Sequence, residues 1–271
     1  MARQELNAVV TQRIEVAPGL IILRVAPDGW SLPEFIPGQF AVLGLPGSAE
    51  RYPLSDPEEE TPDPDKLIRR AYSIASSSIA LESMEFYVTL VHSGSLTPRL
   101  FALETGDRVW LSSKVAGLFK LSDAPDDAHV VLVATGTGLA PYMSMLRTHL
   151  LHDIQRRFAV LHGARHSWDL GYQSELIAMQ TLCKNFAYLP TVSRPANEPV
   201  EWNGDTGYVQ DLWKRGVLDE AWGFHPTSSD THVFLCGSPG MCEDMLELLD
   251  GEGFQENSRK KAGEIHVERY W

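Results

Sequence analysis

Arg70-Ala71-Tyr72-Ser73 sets a cation, an aromatic ring and a hydroxyl at the first, third and fourth positions of a tetrapeptide. On an extended strand, residues i and i+2 share a face, so Arg70 and Tyr72 point to one side. The guanidinium can fork onto a phosphate, and the tyrosine offers a flat face to a planar ring. Ser73 points the other way on an ideal strand, and a local bend is needed to bring its hydroxyl to the same ligand. A ligand that is part phosphate and part flat heterocycle suggests a flavin. The plain alternative is an exposed arginine beside a half-buried tyrosine.

A second set of such residues lies further along. Thr135-Gly136-Thr137-Gly138-Leu139-Ala140-Pro141 stands between an apolar strand and a helix. It carries the first two glycines of a dinucleotide fingerprint and Pro141 instead of the third. Gly136 and Gly138 allow a tight turn and close approach to a pyrophosphate, and Pro141 begins the helix that faces it. The next strand runs into His162-Gly163-Ala164-Arg165-His166, and the one after ends in Ser193-Arg194. An acidic residue is expected there for NAD, to bind the ribose hydroxyls. Two arginines and a hydroxyl suit a 2′-phosphate instead, so NADP is favoured; the alternative is two solvated surface charges. Tyr208 can stack on an adenine or fill a core edge. Cys236 ends the last clear strand, where it serves either a ligand or simply as a small buried apolar residue. Gly237 beside it leaves room for a ring.

The elements that must hold these residues fall into two rhythms. Short β-like runs at 8–10, 14–16, 20–25 and 39–43, the strand through Arg70, a strand at 84–91 and another at 109–111 alternate with Gly and Pro turns. That spacing predicts an antiparallel barrel or sandwich. Residues 46–65 hold five prolines and seven acidic residues and read as an exposed inserted loop. Thr97 is expected to cap a short helix with Pro98 at its first position. The polar stretch 122–127 reads as the domain boundary. Beyond it, apolar strands at 129–134, 158–162, 186–192 and 231–236 alternate with helices at 141–151, 173–182, 211–217 and 241–251. This predicts an α/β domain with a parallel sheet.

Composition narrows the functional classes. At 271 residues the chain is comfortable for two cores. A net charge of −13 argues against a nucleic-acid binder. Three cysteines without a C-x-x-C pair make a structural zinc site or a cysteine-ligated iron–sulfur cluster improbable and fit a reducing cytoplasm. No signal peptide and no membrane span are expected.

The chain resembles the bacterial branch of the ferredoxin–NADP reductase family over nearly its whole length. The resemblance rests on R-A-Y-S at 70–73, G-S-L-T-P-R-L at 94–100, A-T-G-T-G-L-A-P-Y at 134–142, G-A-R at 163–165 and D-L-G-Y at 169–172. It continues through V-S-R at 192–194, C-G-S-P-G-M at 236–241 and the final V-E-R-Y-W. It implies a six-stranded antiparallel FAD barrel over residues 1–122 and an NADP-binding α/β domain over 127–271, ending in an aromatic tail over the FAD. By that analogy Arg70 binds the pyrophosphate, Tyr72 stacks on the isoalloxazine beside Ala71, and Ser73 hydrogen-bonds near flavin N5. Ser95, Leu96 and Thr97 line the pyrophosphate, with Tyr87 beside the adenosine. Thr137 lies between the cofactors. Ala164, Arg165, Ser193 and Arg194 hold NADP, with Tyr208 and Gln210 at the adenine. Cys236 and Gly237 face the nicotinamide, Glu268 serves a proton path, Tyr270 covers the isoalloxazine and Trp271 reaches the FAD adenine.

The implied activity is electron transfer between NADPH and ferredoxin or flavodoxin through FAD. Arg51, Arg69, Lys114 and Lys120 are candidates to meet an acidic carrier. The alternative on the same scaffold is the reductase component of an oxygenase, or a free-flavin reductase. The chain departs from the bacterial pattern in its long acidic loop and in Tyr208, where many members carry a third arginine.

Overall fold

The computed structural model describes residues 5–269. The chain divides into two units, Met1–Lys120 and Leu121–Trp271.

The first unit is antiparallel. Its strands are β1 (Ala8–Ala17), β2 (Leu20–Pro27), β3 (Phe40–Pro46), β4 (Leu67–Ser73), β5 (Met84–Thr89) and β6 (Arg108–Leu111), in the order β4-β3-β6-β1-β2-β5. A bridge between Ile74 and Phe86, with Ala75 N–H donating to the Glu85 carbonyl at 2.8 Å, joins the two ends and closes the sheet into a barrel. Closure pairs the ends of the two outer strands at this point. The interior is apolar: Ile21, Leu23, Leu43, Ile74, Phe86 and Leu111 are all fully buried. The two runs expected at 8–10 and 14–16 form one strand. Register shifts at Val10/Gln12 and Glu15/Ala17 break its hydrophobic alternation, so it reads as two pieces.

The second unit is an all-parallel sheet of β7 (His129–Thr135), β8 (Phe158–Ala164), β9 (Phe186–Val192), β10 (Asp205–Thr206), β11 (Thr231–Cys236) and β12 (Ile265–Glu268), ordered β10-β9-β8-β7-β11-β12. Its main helices are α2 (Ala140–His149), α3 (Gln173–Leu182), α4 (Val209–Lys214), α5 (Val217–Trp222) and α6 (Pro239–Gly251); α1 (Thr97–Phe101) belongs to the first unit. Both faces of the central strands are covered, which is why β7 is an unbroken apolar run. Pro190 is tolerated inside β9 because β10 pairs only from Thr191 onward, so no neighbour on that side needs its missing N–H.

Three local expectations are corrected. The helix expected at 211–217 is two helices, broken at Gly216, whose φ of +70° is left-handed. The cap of α1 is Leu96, not Thr97. The Thr97 hydroxyl turns back instead, accepting from Val91 N–H at 3.0 Å and donating to the Val91 carbonyl at 3.1 Å. The end of the chain adds a strand, β12, that its four residues did not announce.

Candidate functional site

In the first unit, Arg70, Ala71, Tyr72 and Ser73 form the last four residues of β4, paired with Leu43, Val42, Ala41 and Phe40 of β3. Arg70 is exposed and, among the described residues, donates to the Arg69 carbonyl at 2.8 Å. Tyr72 is half-buried, edge-on to Phe86 at 6.4 Å between ring centroids, and burial pushes its hydroxyl pKa well up. Just after Ser73 the chain passes from β3 to β5, through Ile74 N–H to the Gln39 carbonyl and Ala75 N–H to the Glu85 carbonyl. Ser73 is thus the last β4 residue before this crossing. Tyr87 lies on β5 with 3% exposure. Ser95, Leu96 and Thr97 lead into α1, and among the described residues their backbone N–H groups meet no acceptor. Three free N–H donors beside a strand bearing an exposed guanidinium fit a diphosphate-bearing cofactor.

The acidic loop is tied to this segment. Arg99 of α1 is 2% exposed and donates to both Glu58 oxygens (2.7 and 3.0 Å), to the Ser95 carbonyl (2.6 Å) and to the Gly47 carbonyl (2.6 Å). Arg51 donates to the Gly94 and Asp56 carbonyls and lies 3.1 Å from Glu58. Tyr52 N–H meets the Pro98 carbonyl, and Asp56 N–H meets that of His92. The Arg99 guanidinium holds the Glu58 carboxyl below the usual range. Residues 46–65 are therefore not merely a solvated loop, and Arg51 is an internal tie rather than an open cation. Arg69 lies over the Trp110 ring at 4.9 Å. Lys114 is exposed and Lys120 half-buried.

In the second unit, strand register gathers the expected residues at one sheet edge. Cys236 pairs with Ala134 on one side and Glu268 on the other; Thr135 pairs with Gly163, and Ala164 with Val192. Thr137, Arg165, Ser193, Arg194 and Gly237 all lie one or two residues past these carboxyl ends. Ligands of open parallel sheets bind there. Arg165 and Arg194 are exposed, and neither guanidinium has a partner among the described residues. Their backbones are joined, Arg194 N–H donating to the Arg165 carbonyl at 3.0 Å. Two free guanidinia on adjoining backbone positions are a donor set that fits a phosphate. Tyr208 is 64% exposed just before α4, as a stacking platform requires. Gln210 is turned inward: its amide donates to Asp244 of α6 at 2.8 Å, so it braces two helices instead of reaching an adenine.

Gly136–Leu139 is a 3₁₀ turn leading into α2. Gly138 serves the protein first, because a Cβ there would lie 2.0 Å from the Cys236 carbonyl oxygen. A Cβ at Gly237 would lie 2.2 Å from the Thr135 hydroxyl, which itself accepts from Ser238 N–H at 2.9 Å. The two loops are thus locked together. Thr135 was not anticipated; an ordinary strand-end threonine carries no sequence signal for this role. Cys236 is fully buried. Burial raises the Glu268 carboxyl to about 6 and the Cys242 thiol to about 11. Tyr270 and Trp271 lie outside the described residues. No group of three metal-ligating side chains occurs among the described residues, and no helix among them is long and apolar enough to cross a membrane.

Residues 132–247 match the family of oxidoreductase NAD-binding domains. The chain is 32% identical to a flavodoxin/ferredoxin–NADP reductase of Shigella flexneri, over 88% of each chain. It is 32% identical to a ferredoxin–NADP reductase of Azotobacter vinelandii, over 86% of this chain and 85% of the relative. Its fold is similar to that of a Neisseria gonorrhoeae ferredoxin NADP+ reductase solved with FAD and NADP bound, with a TM-score of 0.78, 22% identity and 97% of each chain covered. A barrel of six antiparallel strands followed by a parallel α/β sheet is the architecture that the motifs predicted, and with this identity over most of its length the chain belongs to the flavodoxin/ferredoxin–NADP reductase family.

Proposed function

We propose that this chain is an FAD-dependent oxidoreductase that transfers electrons between NADPH and ferredoxin or flavodoxin. The observation that carries the reading is the carboxyl edge of the parallel sheet, where two exposed, unpartnered guanidinia stand on adjacent strand ends. Family membership supplies the carrier protein. The reading assigns residues 1–122 to FAD and 127–271 to NADP, and puts the protein in the cytoplasm, where its three free cysteines stay reduced.

FAD, when bound, supplies the exchange of a two-electron hydride for single electrons. Arg70 and the N–H groups of Ser95, Leu96 and Thr97 neutralise and orient its diphosphate. Tyr72 gives a stacking face with Ala71 beside it, Ser73 a hydroxyl near N5, and Tyr87 an apolar flank. Arg165, Arg194 and Ser193 hold the 2′-phosphate of NADPH beside Ala164, with Tyr208 under the adenine. Thr137, Cys236 and Gly237 shape the nicotinamide end. Glu268, which burial raises to about 6, keeps part of its proton near neutrality and is the residue we assign to a proton path. Tyr270 and Trp271, which lie outside the described residues, are assigned to the FAD by the family resemblance alone.

The test is the visible spectrum of the purified protein during anaerobic addition of NADPH or NADH. The expected outcome is oxidised-flavin bands that bleach much faster with NADPH. Preference for NADH would overturn the roles of Arg165 and Arg194, and a protein that stays colourless with added FAD would overturn the flavin assignment.

A further inference from the structure

Arg165 and Arg194 stand on loops with little to hold them together. The backbone ladder between β8 and β9 runs only two rungs past the strands, Ser193 N–H to the Ala164 carbonyl and Arg194 N–H to the Arg165 carbonyl, both at 3.0 Å. Beyond that the chain enters two separate 3₁₀ turns, Ser167–Asp169 and Pro195–Asn197. Two cations on neighbouring rungs repel each other, so loops carrying them tend to part unless something ties them.

The tie is Glu198. One carboxylate oxygen accepts from Ser167 N–H at 2.7 Å and the other from the Ser167 hydroxyl at 2.5 Å. Both residues are half-buried. Each arginine is therefore bracketed, by the ladder on one side and by this clamp on the other. Each loop is also stiffened within itself. His166 stacks on Trp168 at 4.4 Å and reaches Asp169 at 3.2 Å. In the partner loop Asn197 N–H donates to the Arg194 carbonyl and Glu198 N–H to that of Pro195, and Pro195 and Pro199 flank the turn. Among the described residues Glu198 pairs with neither arginine, so its charge does not occupy them.

We infer that Glu198 is a positioning residue for coenzyme choice: by clamping Ser167 it holds the two arginine loops at the spacing at which both guanidinia meet one 2′-phosphate. The inference rests on the NADPH reading above. Neither Glu198 nor Ser167 is among the residues assigned to the coenzyme, and both are only half-buried, so loss of the clamp is expected to weaken recognition of the 2′-phosphate alone.

The test uses the FAD-loaded full chain as wild type, Glu198→Ala, Glu198→Gln and the pair Arg165→Ala with Arg194→Ala. Steady-state kinetics with NADPH and NADH are combined with competition by adenosine 2′-phosphate and adenosine 5′-phosphate. Glu198→Ala is expected to raise KM for NADPH roughly tenfold and to weaken adenosine 2′-phosphate by the same factor. Its kcat, its KM for NADH and its binding of adenosine 5′-phosphate should stay within about twofold. Glu198→Gln keeps an acceptor for the Ser167 N–H and offers an amide donor to the hydroxyl oxygen in place of the carboxylate acceptor, and should remain close to wild type. An unchanged NADPH-to-NADH ratio in Glu198→Ala, or tighter NADPH binding in Glu198→Gln, overturns the inference and marks Glu198 as a plain surface contact or an opposing charge. If the double arginine variant keeps full discrimination, the coenzyme reading itself falls, and the inference with it.

Discussion

A methyl group added at Gly138 would sit 2.0 Å from the Cys236 carbonyl oxygen, and one at Gly237 would sit 2.2 Å from the Thr135 hydroxyl. Backbone cannot yield at such a distance without parting the two loops. Gly138→Ala is therefore expected to cost about 2–4 kcal/mol and to weaken NADPH binding with it. Gly240→Ala, in the first turn of α6 with nothing within 4 Å, is the matched control and should be neutral or slightly stabilising. Urea unfolding of the two variants checks the contrast, and equal midpoints would refute it. Gly136 differs again: its φ of +55° is the reason for glycine there, since the space around it is open. The sequence showed that these glycines matter and that a nucleotide turn lies here. It did not show that Gly138 makes room for a carbonyl almost a hundred residues away, because that contact exists only once β7 and β11 lie side by side.

Among the elements, the acidic loop changed most between sequence and structure. Its prolines and carboxylates read as solvated chain, yet Glu58 neutralises Arg99, which α1 carries into the barrel's apolar surroundings. Removing one partner of a buried pair leaves the other charge without compensation. Glu58→Ala should lower stability by about 2–3 kcal/mol, read as a drop of roughly 5–10 °C in Tm of the apoprotein, and loosen FAD binding as α1 loses its brace. An unchanged Tm would show that the two carbonyls already bonded to Arg99 are sufficient. The parallel strands were legible because burial on both faces forces continuous apolar runs. β12 was not, since Ile265-His266-Val267-Glu268 is short and half polar, and β10 is only two residues. The break between α4 and α5 was signalled by Gly216 but overridden by the apolar rhythm on either side. Side-chain pairs such as Arg99 with Glu58 and Ser167 with Glu198 link residues 41 and 31 apart and leave no local pattern. The site's outline was readable, and its internal ties were not.

Across the whole molecule, acid is the condition that finds its weak points. His162 is fully buried, with its Nδ1 3.1 Å from the Tyr188 hydroxyl, and burial pushes its pKa down to about 4. His266 is 4% exposed, bonded to His232 at 2.9 Å and stacked on Phe234; burial, with His232 beside it, likewise lowers it to about 4. The unfolded chain takes up these protons near pH 6.5, and the folded chain refuses them until about 4. Stability therefore falls as pH drops through that window, by about 1.4 kcal/mol per pH unit per histidine. Glu268 works in the opposite direction between about 4.5 and 6, because its folded carboxyl holds the proton more tightly. Urea midpoints should change little between pH 7.5 and 6.5 and fall more steeply between 6.5 and 5.5, and His266→Asn should flatten that fall; a fall that His266→Asn leaves intact would refute the assignment.

The strand order carries one more consequence, for how the chain is made. β6 is the last strand of the barrel in sequence, yet it lies between β3 and β1, with Asn7 bonded to Leu111 across 104 residues. During synthesis the first five strands can form hairpins, but the gap at the centre stays open until Leu111 has left the ribosome. Among the described residues, those from Leu121 onward contribute no strand to the barrel. Closure of the barrel is therefore expected to wait for its sixth strand, which acts as keystone between β3 and β1.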